Sequence, residues 1–335
     1  MTEHRPGSTV DGRFLLEEVA GSGGMGVVYR ARDLHGGDRV AVKILHPTMQ
    51  THMARFVREA RLLAQLDHPG IVRHVAHGES PLYLAMEWLD GEDLGQRLGR
   101  APLLVREALA MARRVAEALD AAHRQGVVHR DIKPGNIFLV GGATSAVKLL
   151  DFGVARPLGG GTRAMTMSGQ ILGTVGYMAP EQAREGSDVR GPMDVFSLGC
   201  VLFECIGGAP AFPGAGLMPV LAKLLFAEMP RLRDVRDDLP EPLSELVRRM
   251  MQRRPEDRPA MSAVIAELEA LVASPAVIEL EERPRRARPD ARASVLGDDE
   301  QPLLALVMAQ PLPIADTGAP TRELAAVADA AQALH

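Results

Sequence analysis

Cysteine is nearly absent from this chain of 335 residues: Cys200 and Cys205 are the only two. That excludes a disulfide-stapled scaffold. Both lie in an apolar, helix-like run, which fits buried thiols better than a metal or disulfide pair. Aromatic residues are also scarce, 4% with a single Trp, so the core must come from Leu, Val, Ala and Met. No uninterrupted apolar run reaches the roughly 18 residues of a membrane-spanning helix. Met1 to Val10 is polar and lacks the apolar segment of a secretion signal. The formal net charge is only -5, so the chain does not grip nucleic acid by global charge. These absences lead to the expectation of a cytoplasmic globular protein with no membrane span and no nucleic-acid partner.

What is present is an ordinary globular composition, 46% hydrophobic and 24% charged, enough for one two-lobed domain and a tail. Residues 13–45 read as strands around a glycine-rich turn, ending in the compact run Val40-Ala41-Val42-Lys43-Ile44-Leu45. Over residues 53–66 the period changes to helical, with Phe56, Leu62, Leu63 and Leu66 on one face until His68-Pro69-Gly70 stops it. Ile71 to His77 and Leu82 to Leu89 read as two more strands. Beyond Asp90-Gly91 the character is helical: 105–125 closed by Gly126, then 192–207, 241–252 and 262–273, the last opened by Ser262 as N-cap. The fold expected is α+β, a small β-rich lobe with one main helix (13–89) and a larger helical lobe (90–273). Residues 1–12 form an N-terminal extension. Residues 274–335 are rich in Pro, Arg and acids at first and read as a linker and disordered tail; a docking or autoinhibitory segment is the alternative.

Three segments carry chemistry. Gly21-Ser22-Gly23-Gly24-Met25-Gly26 allows backbone amides to approach a phosphate with no side chain between. A glycine-rich hairpin without ligand fits that pattern equally well, and a strand rather than a helix follows, unlike a dinucleotide fingerprint. Lys43 ends an apolar strand: either it snorkels to solvent or it places a charge on nucleotide phosphates, with Glu59 on the next helix to orient it. The segment His129-Arg130-Asp131-Ile132-Lys133-Pro134-Gly135-Asn136 is far more specific, since His, Arg, Asp, Lys and Asn at those spacings arise by chance in about one chain in ten thousand. Asp131 is placed to orient a hydroxyl nucleophile, Lys133 to neutralise a transferring phosphoryl group, Asn136 to offer an amide oxygen to Mg²⁺. Asp151, in Asp151-Phe152-Gly153, adds a hard charged oxygen for the same ion. Phosphoryl transfer asks mainly for positioning and charge neutralisation.

On these residues the chain resembles the eukaryotic-like serine/threonine protein kinases of bacteria. The resemblance spans about residues 13–273 and includes Ala179-Pro180-Glu181, Asp194-Val195-Phe196-Ser197-Leu198-Gly199 and Arg258 as the partner of Glu181. It implies ATP and Mg²⁺ as cofactors, with Mn²⁺ as the alternative ion, and protein substrates. It implies an adenine site at Met86, with the hinge backbone at Glu87 and Leu89 and with Val28 and Ala41 covering the ring. Lys133 and Thr174 imply Ser or Thr as acceptor. Arg130 implies activation by a phosphate on the loop between 157 and 173, with Arg156 completing the pocket and Thr166 and Ser168 as autophosphorylation sites, Thr162 as a third. Exposed loop hydroxyls without that role are the plainer reading. Relatives also self-associate through the small lobe, which makes a homodimer an expectation. The competing reading is a pseudokinase-like nucleotide-binding scaffold, opposed by the presence of Lys43, Glu59, Asp131, Asn136 and Asp151 together.

Overall fold

The computed structural model describes residues 4–23, 26–46, 53–152, 175–183, 190–214 and 216–282, without the side chains at 54, 55, 281 and 282. Gly24, Met25, Gly153, Arg156, Thr162, Thr166, Ser168, Thr174 and residues 283–335 therefore lie outside the described residues.

Strands β1 (Thr9–Val10), β2 (Phe14–Gly23), β3 (Gly26–Asp33), β4 (Arg39–Leu45), β5 (His74–Glu79) and β6 (Leu82–Glu87) form one antiparallel sheet in the order β1-β2-β3-β4-β6-β5. The two-residue period of β4 decides what each face does. Val40, Val42 and Ile44 enter one apolar cluster with Phe14, Leu16, Tyr29, Tyr83 and Ala85. Ala41 and Lys43 alternate with them and point to the other side. Across the sheet Ala41 faces Met86 in register, and Lys43 faces Val28 on one neighbour and Leu84 on the other. Helix α1 (Met53–Leu63) covers the sheet with Phe56, Val57 and Ala60, which join Leu45, Leu82, Leu84 and Met86 in a second cluster.

Gly26, where β3 begins, has φ +152°, and a Cβ there would stand 2.1 Å from the Ile44 carbonyl oxygen. Strand packing alone therefore demands glycine at this position, whatever the loop binds. Gly21 is different: a Cβ would meet open space, so packing places no demand on it.

The larger lobe begins with β7 (Gly91–Asp93) and α2 (Leu94–Leu98), joined by a reciprocal cap in which Asp93 Oδ1 accepts from Gln96 N and Gln96 Oε1 from Asp93 N. Helix α3 (Val105–Arg124) buries Ala108, Leu109, Ala112, Val115, Ala116, Leu119 and Ala122. Strand β8 (Ile137–Val140) pairs with β7 on one side and with β9 (Val147–Leu149) on the other in a three-stranded sheet. Helix α4 (Pro192–Gly207) is enclosed on nearly every side, so it is apolar almost throughout. Burial pushes the thiols of Cys200 and Cys205 far above the ordinary value. The helix stops at Gly208, left-handed at φ 78°, whose N–H caps the Glu204 carbonyl.

Helices α5 (Leu217–Phe226), α6 (Leu232–Val235), α7 (Glu241–Met250), α8 (Met261–Val272) and α9 (Pro275–Glu282) complete the lobe. Two sequence expectations change here. Helix α8 starts one residue earlier than expected, with Ala260 and not Ser262 at the N-cap position and no side-chain cap bond. Residues 275–282, expected to open the linker, form α9 instead, because Val277 and Leu280 are buried and pack into the large-lobe core.

Below α4 one buried ion pair ties the lobe together. The Arg258 guanidinium donates twice to the Glu181 carboxylate, at 2.7 Å each, and to the carbonyls of Pro192, Gln252 and Arg253 at 2.9, 2.7 and 3.0 Å. It also lies 5.0 Å from the Phe196 ring centroid. The side chain is fully buried, so each donor depends on these partners. Arg258→Met leaves Glu181 as an uncompensated buried charge and is expected to cost about 3–5 kcal/mol. Urea unfolding of the variant against the parent measures it.

Candidate active site

Asp194 lies in the first turn of α4 and is completely buried. Its carboxylate accepts the backbone N–H of His129 at 2.9 Å and of Arg130 at 2.8 Å, and the His123 ring nitrogen Nε2 is 2.8 Å away. An acid at a helix N-terminus is in the favourable field of the helix dipole, and here it pins a loop. Arg130 is left-handed at φ 67°, a conformation that costs free energy for a side chain of this size. It is held on both sides, since the Gln182 amide donates to its carbonyl at 3.1 Å.

His129 is buried and uncharged, because burial pushes its pKa down against the opposing pull of Asp194 and Asp131. The Asp131 N–H donates to its Nδ1 at 3.3 Å, which assigns the proton to Nε2 and makes that nitrogen the donor to the Leu150 carbonyl at 2.8 Å. Its ring packs on Phe152 with centroids 4.5 Å apart. The loop and the Asp151 segment are thus fastened to each other, and Leu150 N–H to the Asn136 carbonyl at 2.9 Å adds a second link.

On this frame Asp131, Lys133 and Asn136 come together. Lys133 Nζ is 3.1 Å from Asp131 Oδ2, and the Asn136 amide nitrogen donates to the Asp131 carbonyl at 2.7 Å and to Oδ2 at 3.0 Å. With its nitrogen so engaged, Asn136 keeps its amide oxygen for another partner. Asp151 is also left-handed, φ 43°, and bonds Lys43 Nζ at 2.6 Å. Part-burial raises the Asp151 carboxyl, but the Lys43 ammonium outweighs this and holds it below the usual carboxylate value.

One expectation is corrected. Glu59, expected beside Lys43, bonds Arg130 instead, Oε1 to the guanidinium at 2.9 Å. Two cations and two carboxylates share this crevice, and the pairing taken joins Lys43 to Asp151 and Glu59 to Arg130. Met86, Val72, Leu84, Leu63, Phe152, Asp151 and His74 line a cavity next to them.

Sequence reasoning missed several residues. His123 and Gln182 support the loop from outside it. Tyr177 donates to Glu204, whose carboxyl is raised by burial. His74 places an imidazole in a mostly apolar cavity wall that also holds Asp151, and meets the His77 ring at 3.1 Å. The signal for His123 is its place in the last turn of α3, just ahead of the loop; nothing in the sequence marks the others.

His74 also gives a pH prediction. Burial, aided by His77, lowers its pKa from 6.5 to about 4. Between those values the unfolded chain takes up a proton that the folded chain refuses, so stability falls as pH drops from 6.5 towards 4. His129 acts in the same direction. The urea midpoint is expected to decline from pH 7 to pH 5, and to decline less in His74→Leu; an identical slope in the variant counts against the assignment.

The sequence profile of the protein kinase domain matches residues 14–268. The chain is 39% identical over 262 residues to the serine/threonine-protein kinase PknA of Mycobacterium tuberculosis, 75% of this chain and 59% of that protein. It is 36% identical over 274 residues to the DNA damage-responsive serine/threonine-protein kinase RqkA of Deinococcus radiodurans, 79% of this chain and 40% of that protein. Among solved structures, the PknI kinase domain of Mycobacterium tuberculosis superposes with a TM-score of 0.64 at 29% identity, covering 82% of this chain and 100% of that one. The chain thus spans 59% or less of the length of these two curated relatives.

Proposed function

Because the chain belongs to the protein kinase family, in its bacterial serine/threonine branch, we propose that it transfers the γ-phosphoryl group of ATP to Ser and Thr hydroxyls of proteins, including its own loop. The observation that carries this reading is the cluster of Asp131, Lys133 and Asn136 beside Asp151 and Lys43, on a loop pinned by buried Asp194.

Each residue has a role in this reading. Asp131 orients the acceptor hydroxyl and takes up its proton; Lys133, already against Asp131, sets its charge beside the transferring group. Lys43 binds the nucleotide phosphates. The glycine segment with Gly21, Ser22, Gly23 and Gly26 covers them, Val28 and Ala41 cap the adenine, and Met86 lies beside the hinge backbone of Glu87 and Leu89. Kinases of this family use ATP with a divalent metal. The donors fit a hard cation: the Asp151 carboxylate and the amide oxygen that Asn136 keeps available. Mg²⁺ is the proposed ion, with Mn²⁺ as substitute; when bound it neutralises phosphate charge.

The observed ion pairs fit a resting arrangement. A phosphate on Thr166 or Ser168, with Thr162 as a third site, competes for Arg130 together with Arg156. Glu59 is then released to Lys43, and Asp151 is left for the metal. Thr174 is proposed to steady Asp131 and Lys133. Among the described residues no helix is long and apolar enough to cross a membrane; cytoplasmic action without a nucleic-acid partner is part of the proposal. So is a small-lobe homodimer, for which exposed Val19 and Leu34 are candidate contacts. The scaffold reading is not favoured, since it needs none of this cluster.

Labelled ATP with a generic protein substrate tests the function. Asp131→Asn is expected to lower turnover about a hundredfold or more; transfer that survives it refutes the assignment. Mass spectrometry after incubation with ATP and Mg²⁺ is expected to find phosphate between residues 160 and 175, and an active enzyme with none there refutes the loop proposal.

A further inference from the structure

Glu87 ends β6, and its carboxylate is engaged by the segment 70–73 and by β9. Oε1 accepts the Arg73 N–H at 2.8 Å while the Glu87 N–H donates to the Arg73 carbonyl at 3.0 Å. The same oxygen is 2.5 Å from Lys148 Nζ, which also reaches the Ile71 carbonyl at 3.4 Å. Both side chains are only 21% exposed. Lys148 is the middle residue of β9, three positions before Asp151 and next to Leu149, whose N–H and carbonyl bond Gly70 and Val72 at 2.8 and 3.0 Å. One ammonium therefore ties together the strand leading into Asp151, the segment 70–73 and the end of the strand proposed to present the adenine edge.

We infer that Lys148 is a positioning residue for nucleotide binding: it holds Glu87 from behind, so that the main chain at Glu87 and Leu89 is set for the adenine edge. This rests on the nucleotide reading above. Without the ammonium, the Glu87 carboxylate keeps a single backbone donor in a part-buried place and gains by turning to solvent. That motion carries the Glu87 main chain with it. The groups at Asp131 and Lys133 are not touched, so the effect falls on nucleotide affinity and not on the transfer step.

The test compares the full chain with Lys148→Met, Lys148→Arg, Glu87→Gln and the Lys148→Met/Glu87→Gln double variant. ATP·Mg²⁺ affinity is measured by calorimetry, and KM for ATP and kcat are measured on a generic protein substrate. Lys148→Met is expected to weaken the Kd and raise the KM about tenfold, the scale of losing one part-desolvated charge partner. At saturating ATP, kcat stays within about twofold of the parent. Lys148→Arg restores binding. The double variant is no weaker than the worse single one, because both act on one pair. Unchanged affinity in Lys148→Met overturns the inference, even if its melting temperature falls, as does a loss of kcat with KM intact. A rise in activity at unchanged KM overturns it too, since the pair would then restrain the lobes. A parent chain that binds ATP but transfers nothing refutes the kinase reading while calorimetry still decides on Lys148; a parent that binds no ATP overturns both.

Discussion

The site depends on one buried carboxylate. Asp194 receives two successive backbone amides, of His129 and Arg130, and the His123 ring. A short polar loop cannot hold its own shape against conformational entropy. Two charge-assisted bonds at adjacent residues fix its path, and the left-handed turn at Arg130 is a condition of that path. From there the order passes outward: His129 to Leu150, Asn136 to Asp131, Leu150 to Asn136. The groups assigned to the chemistry are late members of this chain of constraints, which is why they can be polar and line a crevice without being loose.

The crevice between the lobes holds its charges in a second way. Lys43, Arg130, Glu59 and Asp151 can be joined in more than one combination, and each has an ionic partner in the one adopted. Exchange of partners costs little when every ion finds another, so the balance responds to whatever anion arrives next. In contrast, Arg258 is bonded twice to Glu181 and also to the carbonyls of Pro192, Gln252 and Arg253, and the pair serves as a fixed point.

Much of this was legible in the sequence, and the reason differs by element. The loop from His129 to Asn136, proposed as the catalytic one, was readable because phosphoryl chemistry restricts residue type as well as spacing. Strand β4 was readable because one face must be apolar while Lys43 alternates out of it. Helix α4 was readable to the residue, since burial on all sides leaves a continuous apolar run and Gly208 ends it. The partner of Glu59 was not readable: sequence names ions, and distance chooses between two cations of equal charge. Helix α9 was hidden because Val277 and Leu280 alone anchor it within acid- and proline-rich surroundings. The pairs Lys148–Glu87 and Tyr177–Glu204 join residues far apart in sequence, and neither has a local signature.

The scarcity of cysteine acquires a further meaning in the folded protein. Both thiols sit on α4, fully buried, and burial keeps them protonated far above the ordinary range. An alkylating reagent reacts with thiolate and needs access. The folded chain is therefore chemically silent toward such reagents, and every labelling event at Cys200 or Cys205 counts an opening of the large-lobe core. A single cysteine introduced at an exposed position would carry a probe without first removing the native pair. The chain has, in effect, a blank surface for site-directed spectroscopy and an internal clock for its own unfolding.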